Sequence, residues 1–352
     1  MARAVGRASG ATRSDATRSG ATRSGARPSP RVVLEFLKPV TWFAPMWAFG
    51  CGVVSSGVPL GERWAVALAG VLLAGPLVCA TSQAVNDWFD RHVDAINEPG
   101  RPIPSGRLPG RWGLGIALAW TALSLLVASA LGPWGFWAAV CGLALAWAYS
   151  APPLRLKRNG WWGNLAVAAC YEGLPWITGA AIMAEAGPGW RVLVAAGLYS
   201  AGAHGIMTLN DFKSVEGDRA TGVGSLPVRL GARRAARLAC VVMAAPQAAV
   251  VGLLFAWGRP VHAAVVGALL LAQLCLMPRL LRDPRAQAPW YNATGTSLYV
   301  VGMLACALAL RPAVVPAPAP ASAPTSHSTA APTATAPAAA GQEATHGPSR
   351  DL

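Results

Sequence analysis

Charge is what this chain has least of. Asp, Glu, Lys and Arg make up 12 % of its 352 residues, about half the share found in globular proteins. With hydrophobic residues at 54 %, too few polar side chains remain to cover the apolar ones in water. A soluble protein of one or two domains, which the length alone would permit, is therefore excluded, and lipid is the expected solvent. Carboxylates are scarcer still than cations: 15 Asp and Glu face 29 Lys and Arg, a net charge of +14. Such an excess suits nucleic acid when it lies on one compact face. Here the basic residues fall between apolar runs, so no nucleic-acid partner is expected. The seven cysteines (Cys51, Cys79, Cys141, Cys170, Cys240, Cys275 and Cys306) include no CxxC pair and no nearby His. That pattern argues against a zinc site or a disulfide framework, and they read as small buried hydrophobes. No apolar run follows the basic start before Val32, so no cleaved signal peptide is expected.

The two ends are low in complexity. Residues 1–31 repeat GATRS, DATRS and GATRS from position 10 to 24 and carry seven Arg against one Asp. A segment of that composition cannot bury enough apolar surface to order itself, and a disordered basic arm is expected. Residues 312–352, rich in Ala, Pro and Thr, read as a second disordered tail. Between them, residues 32–311 form one all-α, polytopic membrane domain. Nine apolar segments lie at about 40–57, 64–85, 112–131, 134–150, 163–184, 190–209, 237–256, 260–278 and 291–311, each near the ~20 residues that carry a helix across ~30 Å of hydrocarbon. Helices are the natural reading because an open sheet would leave backbone groups unpaired in lipid. With the N-terminus in the cytoplasm, the cytoplasmic segments hold 24 of the 29 Lys and Arg, leaving Arg63, Arg191, Arg259, Arg311 and Arg350 outside. The excess of positive charge on one side fixes that orientation.

Seven of the fifteen acids fall in two short windows, 87–98 and 211–218, both on the cytoplasmic side of this topology. In NDWFDRHVDAINEPGRP (86–102), Asn86, Asp90 and Asp94 recur at i, i+4 and i+8 and share a helical face. Carboxylates one turn apart repel, and beside a membrane they are costly without a compensating cation. Mg²⁺, or Mn²⁺ in its place, meets that need, since Mg²⁺ takes few protein carboxylates and readily adds phosphate oxygens. In NDFKSVEGDRATG (210–222), Asp211 and Asp218 stand seven residues apart on one face with Ser214 between them, while Glu216 points away. A single DxxxD is equally consistent with a solvated helix end. Two clusters on one side, interleaved with Arg and Lys, point to a shared cavity. Arg101 and Arg107 follow the first cluster, Arg155, Lys157 and Arg158 occupy the 151–162 loop, and Lys213 and Arg219 sit within the second. Metal with cations describes a diphosphate site, although positive-inside bias alone also accounts for Arg155 and Arg158.

Asn86 to Pro102 matches, without a gap, the pattern NxxxDxxxDxxxxPxRP of the UbiA-type intramembrane prenyltransferase superfamily, and DRATG (218–222) resembles the close of its second aspartate motif. YSAPPLRLKRNGWWGN (149–164), YEGLPWITGAA (171–181) and NDFKSVEGDRATGVGSLPVRLG (210–231) are similar to the bacteriochlorophyll and chlorophyll synthase branch, over residues 32–311. YEGLPW and AHGIMTLND (203–211) favour the bacteriochlorophyll side. The resemblance implies nine transmembrane helices in a UbiA-like bundle with a cytoplasmic cavity, in a bacterial cytoplasmic or intracytoplasmic photosynthetic membrane. It also implies transfer of geranylgeranyl or phytyl from its diphosphate to the propionate of bacteriochlorophyllide a. Chlorophyllide is the alternative acceptor, with a quinone precursor or haem as sister readings, and other pigment-biosynthesis proteins are implied partners. One departure is Ser214, where members with aromatic acceptors carry Asp; Asp211 on the same face can supply that carboxylate.

On this reading Asn86, Asp90 and Asp94 hold one ion and Asp211 and Asp218 a second. Asp90, Asp94, Asp218, Lys157 and Arg101 are the expected catalytic residues. Arg101, Lys157, Lys213 and Arg219 receive the diphosphate, with Tyr149 as hydrogen-bond donor. His204, seven residues before Asp211, contacts the pigment's magnesium or a ring carbonyl, or else serves only helix packing. Trp161 and Trp162 are candidates to stack on the macrocycle. No general base is required, because a propionate is already ionised at neutral pH. The rival from another class is an ion-coupled transporter, but transporters place such acids at broken helices in mid-membrane. These lie at helix ends.

Overall fold

The computed structural model describes residues 27–312. The expectations for residues 1–26 and 313–352 lie outside this range. The described part is all-helical. Helix α1 (Pro30–Leu37) begins just inside the stretch assigned to the basic arm. Ser29 caps it and Pro30 stands in its first turn, where a missing N–H costs nothing. There follow α2 (Phe43–Ser56), α3 (Gly61–Asn97), α4 (Trp112–Ala130), α5 (Gly132–Ser150), α6 (Gly160–Ala184), α7 (Trp190–Ala220), the short α8 (Leu226–Leu230), α9 (Ala232–Ala256), α10 (Pro260–Arg282) and α11 (Pro284–Ala309).

Each of the nine apolar segments falls on a helix. Among the described residues, seven helices (α3, α4, α6, α7, α9, α10 and α11) are long and apolar enough to cross a membrane. The other two differ from expectation for separate reasons. Helix α2 has only 14 residues, whereas α5 has 19 but is diluted by Trp134, Trp137, Trp147, Pro133 and three glycines. Leu118, Leu126, Leu271 and Val265 are exposed on the outer faces, as lipid contact requires.

Two long helices change winding. Pro76 offers no N–H to the preceding turn, and α3 relaxes into a π-helix over Leu73–Cys79. Helix α6 does the same over Ala169–Gly173, just ahead of Pro175. Helix α2 crosses the second half of α6 closely: a methyl group on Gly52 would strike the Trp176 carbonyl, and one on Gly179 the Phe49 carbonyl. Small residues at such a crossing let backbones approach where lipid supplies no hydrophobic drive to associate. Trp176, Tyr199, Tyr291 and Tyr299 are buried in the bundle. All seven cysteines are free; Cys141 and Cys275 are exposed, so those two do not fit the expectation of burial.

Candidate active site

The last turns of α3 carry the first acidic window. Asn86 Nδ2 donates to Asp90 Oδ2 at 3.1 Å and to Ser150 Oγ at 3.4 Å. Asp90 pairs with Lys157 and, at 3.3 Å, with Arg155. The loop that delivers both cations turns sharply at Arg155, whose φ of 38° is left-handed, an uncommon conformation for any residue with a side chain. Asp94 is paired with Arg101 at 2.8 Å.

Arg101 departs from its expected role. Its guanidinium also reaches Glu98 at 2.6 Å and Asp87 at 3.3 Å, so three carboxylates compete for the cation that was assigned to the diphosphate. Desolvated carboxylates need a counterion, and the turn after α3 folds Arg101 back to provide it. Its neighbour Arg107 makes a bidentate pair with Glu35 at 2.6 and 2.7 Å. The Arg107 hydrogen bonds hold the Glu35 carboxyl below the usual range. That pair straps the loop to α1.

The second window is not one regular helix. A 3₁₀ turn at Asp211–Ser214 precedes the α-helical Val215–Ala220, so the simple seven-residue spacing on one face does not hold. Both acids are nevertheless oriented. Asn164 Nδ2 donates to Asp211 Oδ2 at 3.1 Å and to Thr208 Oγ1 at 3.3 Å, and Ser214 Oγ donates to Asp218 Oδ2 at 2.9 Å. Ser214 therefore supports Asp218. Glu216 points away, paired with Arg285 at 2.8 Å.

The two windows meet. The 155–160 loop that presents Lys157 to Asp90 is tied to the segment after Asp218 by Gly160 N–H to Gly224 O and Gly224 N–H to Arg158 O, both 2.9 Å. Ser225, next in sequence, stands beside Asp218, which lies within electrostatic reach of Asp90 and Lys157. Gly217 sits so close to Asn97 at the end of α3 that a methyl group there would displace the Asn97 amide. Tyr149 is within electrostatic reach of Asp90, Asp211 and Asp218. Lys157 has a side chain only 8 % exposed. Burial pushes its ammonium below the ordinary lysine range, against the opposing pull of Asp90.

Three expected contributors stand apart. Lys213 and Arg219 are exposed, without an ion pair among the described residues. His204 is 8 % exposed, donates Nε2 to the Trp161 carbonyl at 3.3 Å and packs its ring on the Trp161 indole. Helix packing accounts for it. Trp161 and Trp162 are exposed.

Asp87 was not expected. It is 2 % exposed and held by Lys38 at 2.6 Å as well as by Arg101. The signal was present: both windows open on Asn-Asp, and aligning NDWFDRHVD (86–94) with NDFKSVEGD (210–218) sets Asp87 opposite Asp211. Asn164, the partner of Asp211, carried no comparable mark.

Among the described residues, no three His, Cys, Asp or Glu side chains converge to hold an ion by themselves. The acids stand at the ends of α3 and α7 with cations alongside. Such a donor set does not fit an all-protein cage. It fits Mg²⁺, which binds through one or two carboxylates and completes its shell with substrate phosphates.

Residues 41–298 match the UbiA prenyltransferase family. The bacteriochlorophyll synthase 33 kDa chain of Cereibacter sphaeroides is 60 % identical over 284 residues, covering 81 % of this chain and 94 % of that one. The chloroplastic chlorophyll synthase of Oryza sativa is 39 % identical over 292 residues, covering 79 % and 76 %. The fold is shared with a UbiA homologue from Archaeoglobus fulgidus solved with GPP and Mg²⁺ bound, at a TM-score of 0.61 and 19 % identity over 80 % of this chain and 99 % of that one.

Proposed function

The chain belongs to the UbiA prenyltransferase family, and from that premise we propose that it esterifies the propionate of bacteriochlorophyllide a with a geranylgeranyl or phytyl group taken from the diphosphate. The observation that carries this reading is the meeting of the two carboxylate windows across the Lys157 loop, beneath which an apolar bundle begins. The 60 % identity to a bacteriochlorophyll synthase, against 39 % to a chlorophyll synthase, favours bacteriochlorophyllide over chlorophyllide. On this reading the catalytic unit, 32–311, crosses the membrane nine times with its N-terminus cytoplasmic, α2 and α5 completing the seven stronger spans.

Asn86, Asp90 and Asp94 on one side, and Asp211 and Asp218 on the other, would hold divalent metal. When bound, Mg²⁺ or Mn²⁺ draws in the diphosphate oxygens and takes up the charge released there. Lys157, with Arg155 beside it, supplies a cation at the same place, and Tyr149 supplies a hydroxyl donor. The bond between the prenyl C1 and the diphosphate oxygen breaks, and its electron pair leaves with the diphosphate. A propionate oxygen then gives C1 a new pair. No proton changes hands, and the surrounding apolar helices keep water from the electron-deficient carbon.

Membranes bearing the protein, given bacteriochlorophyllide a, geranylgeranyl diphosphate and Mg²⁺, should form the pigment ester, read by mass spectrometry. Chelation with EDTA should stop the reaction and Mg²⁺ should restore it. An aromatic acid esterified or alkylated in preference to the pigment would sink the proposal. Asn164→Ala removes the partner of Asp211 and should lower kcat/KM about 10-fold, about 1.4 kcal/mol of transition-state stabilisation.

A further inference from the structure

Two apolar cavities lie beneath Tyr149. The first, with about 410 Å³ of open volume, begins at Tyr149, Ser82 and Tyr171, whose hydroxyl accepts from Gln83 Nε2 at 2.9 Å. The second, of about 390 Å³, ends against Phe49, Gly70 and Leu73. Ala74, Val78, Gly142 and Cys170 belong to both walls, so the two are compartments of one groove. Both π-helical segments border it, Leu73–Cys79 from α3 and Ala169–Gly173 from α6. Such bulges are frequent at functional sites.

The groove has a waist and an end. At the waist a Cβ on Gly142 would stand 3.3 Å from Leu174 Cδ2 and 3.4 Å from Val78 Cγ1. A methyl group barely fits there, and a longer side chain would bridge the walls. At the end, the Phe49 ring lies over Gly70 where a methyl group has no room, and the Phe49 carbonyl is pressed on Gly179. The ring is buried, and its backbone is held against Gly179.

Along α3 the lining runs from Ser82 to Gly70, roughly 18 Å at the helical rise, and the first compartment alone, from Ser82 to Ala74, covers roughly 12 Å. An extended isoprene unit advances roughly 5 Å over four carbon–carbon bonds of about 1.5 Å. The whole groove therefore matches three to four units, and the first compartment about two.

Resting on the prenyltransferase reading, we propose that Gly142 and Phe49 set the length of the accepted prenyl chain. Gly142 lets the tail pass beyond about its second unit, and Phe49 stops it after about the fourth. The test is kcat/KM for the full chain in membranes with bacteriochlorophyllide a, Mg²⁺ and prenyl diphosphates of ten, fifteen, twenty and twenty-five carbons. Gly142→Leu should lower the ratio of the twenty-carbon to the ten-carbon donor at least about 10-fold, since misfit of a single methylene in an apolar pocket already costs 10–200-fold. Gly142→Ala should move the ratio the same way by less. Phe49→Ala should raise acceptance of the twenty-five-carbon donor relative to the twenty-carbon one. Should Gly142→Leu be inert with every donor, the ratios of the other two variants decide. Unaltered ratios in variants that turn over would overturn the chain-length proposal alone, whereas an unsubstituted enzyme that esterifies no donor would overturn the parent reading with it.

Discussion

Asp90→Asn should lower kcat/KM for geranylgeranyl diphosphate by about 10³-fold or more, about 4 kcal/mol of transition-state stabilisation, while the protein stays folded in the membrane. Asp90 is where the site's partners converge: Asn86 donates to it, and Lys157 and Arg155 both pair with it. Asparagine keeps the shape and removes the charge. Two explanations of a loss must be separated, because the variant also leaves the buried Lys157 without its partner, and an unpaired buried charge is costly by itself. Adding Lys157→Met removes that second effect. If Asp90 only neutralised Lys157, the double variant would be no worse than Lys157→Met. A carboxylate that holds metal predicts a double variant at least as inactive as Asp90→Asn, and several per cent of residual rate in Asp90→Asn would end the metal role.

Much of this site could be read from local spacing, and what could not be read depends on loops. Asn86, Asp90 and Asp94 repeat with the period of one helix, and α3 does run through all three. Seven of the nine apolar segments were legible for the same reason, since hydrophobic length is a local property. The second window misled because Asp211–Ser214 winds as a 3₁₀ turn, and nothing in seven-residue spacing reveals a change of winding. Arg101 misled differently. Its position beside the acids was evident, but whether a cation faces ligand or protein depends on the number of carboxylates folded around it, and Asp87, Asp94 and Glu98 together claim it. Lys38 and Asn164 reach the site from distant points of the chain, so only tertiary structure could reveal them.

Lys157 gives the second large effect. Lys157→Met should cost about 10²-fold in kcat/KM, within the range for loss of one preorganised donor to developing charge. The pH profile carries the more specific signature. Burial lowers the Lys157 pKa below that of free lysine, about 10.4, so the free enzyme loses this cation at a lower pH than an exposed lysine would. Because kcat/KM reports the ionisation of free enzyme, its alkaline limb should fall below the ordinary lysine range. Stability moves in the opposite direction. Between the lowered folded pKa and the unfolded one, the unfolded chain binds more protons, and ΔG of unfolding rises with pH through that window. Activity should thus fall while resistance to unfolding improves, a divergence that general alkaline damage does not produce. Lys157→Arg keeps its charge throughout and should abolish the limb even if its rate is lower. A limb that persists unshifted in Lys157→Arg would assign the titration to another group and remove Lys157 from the diphosphate.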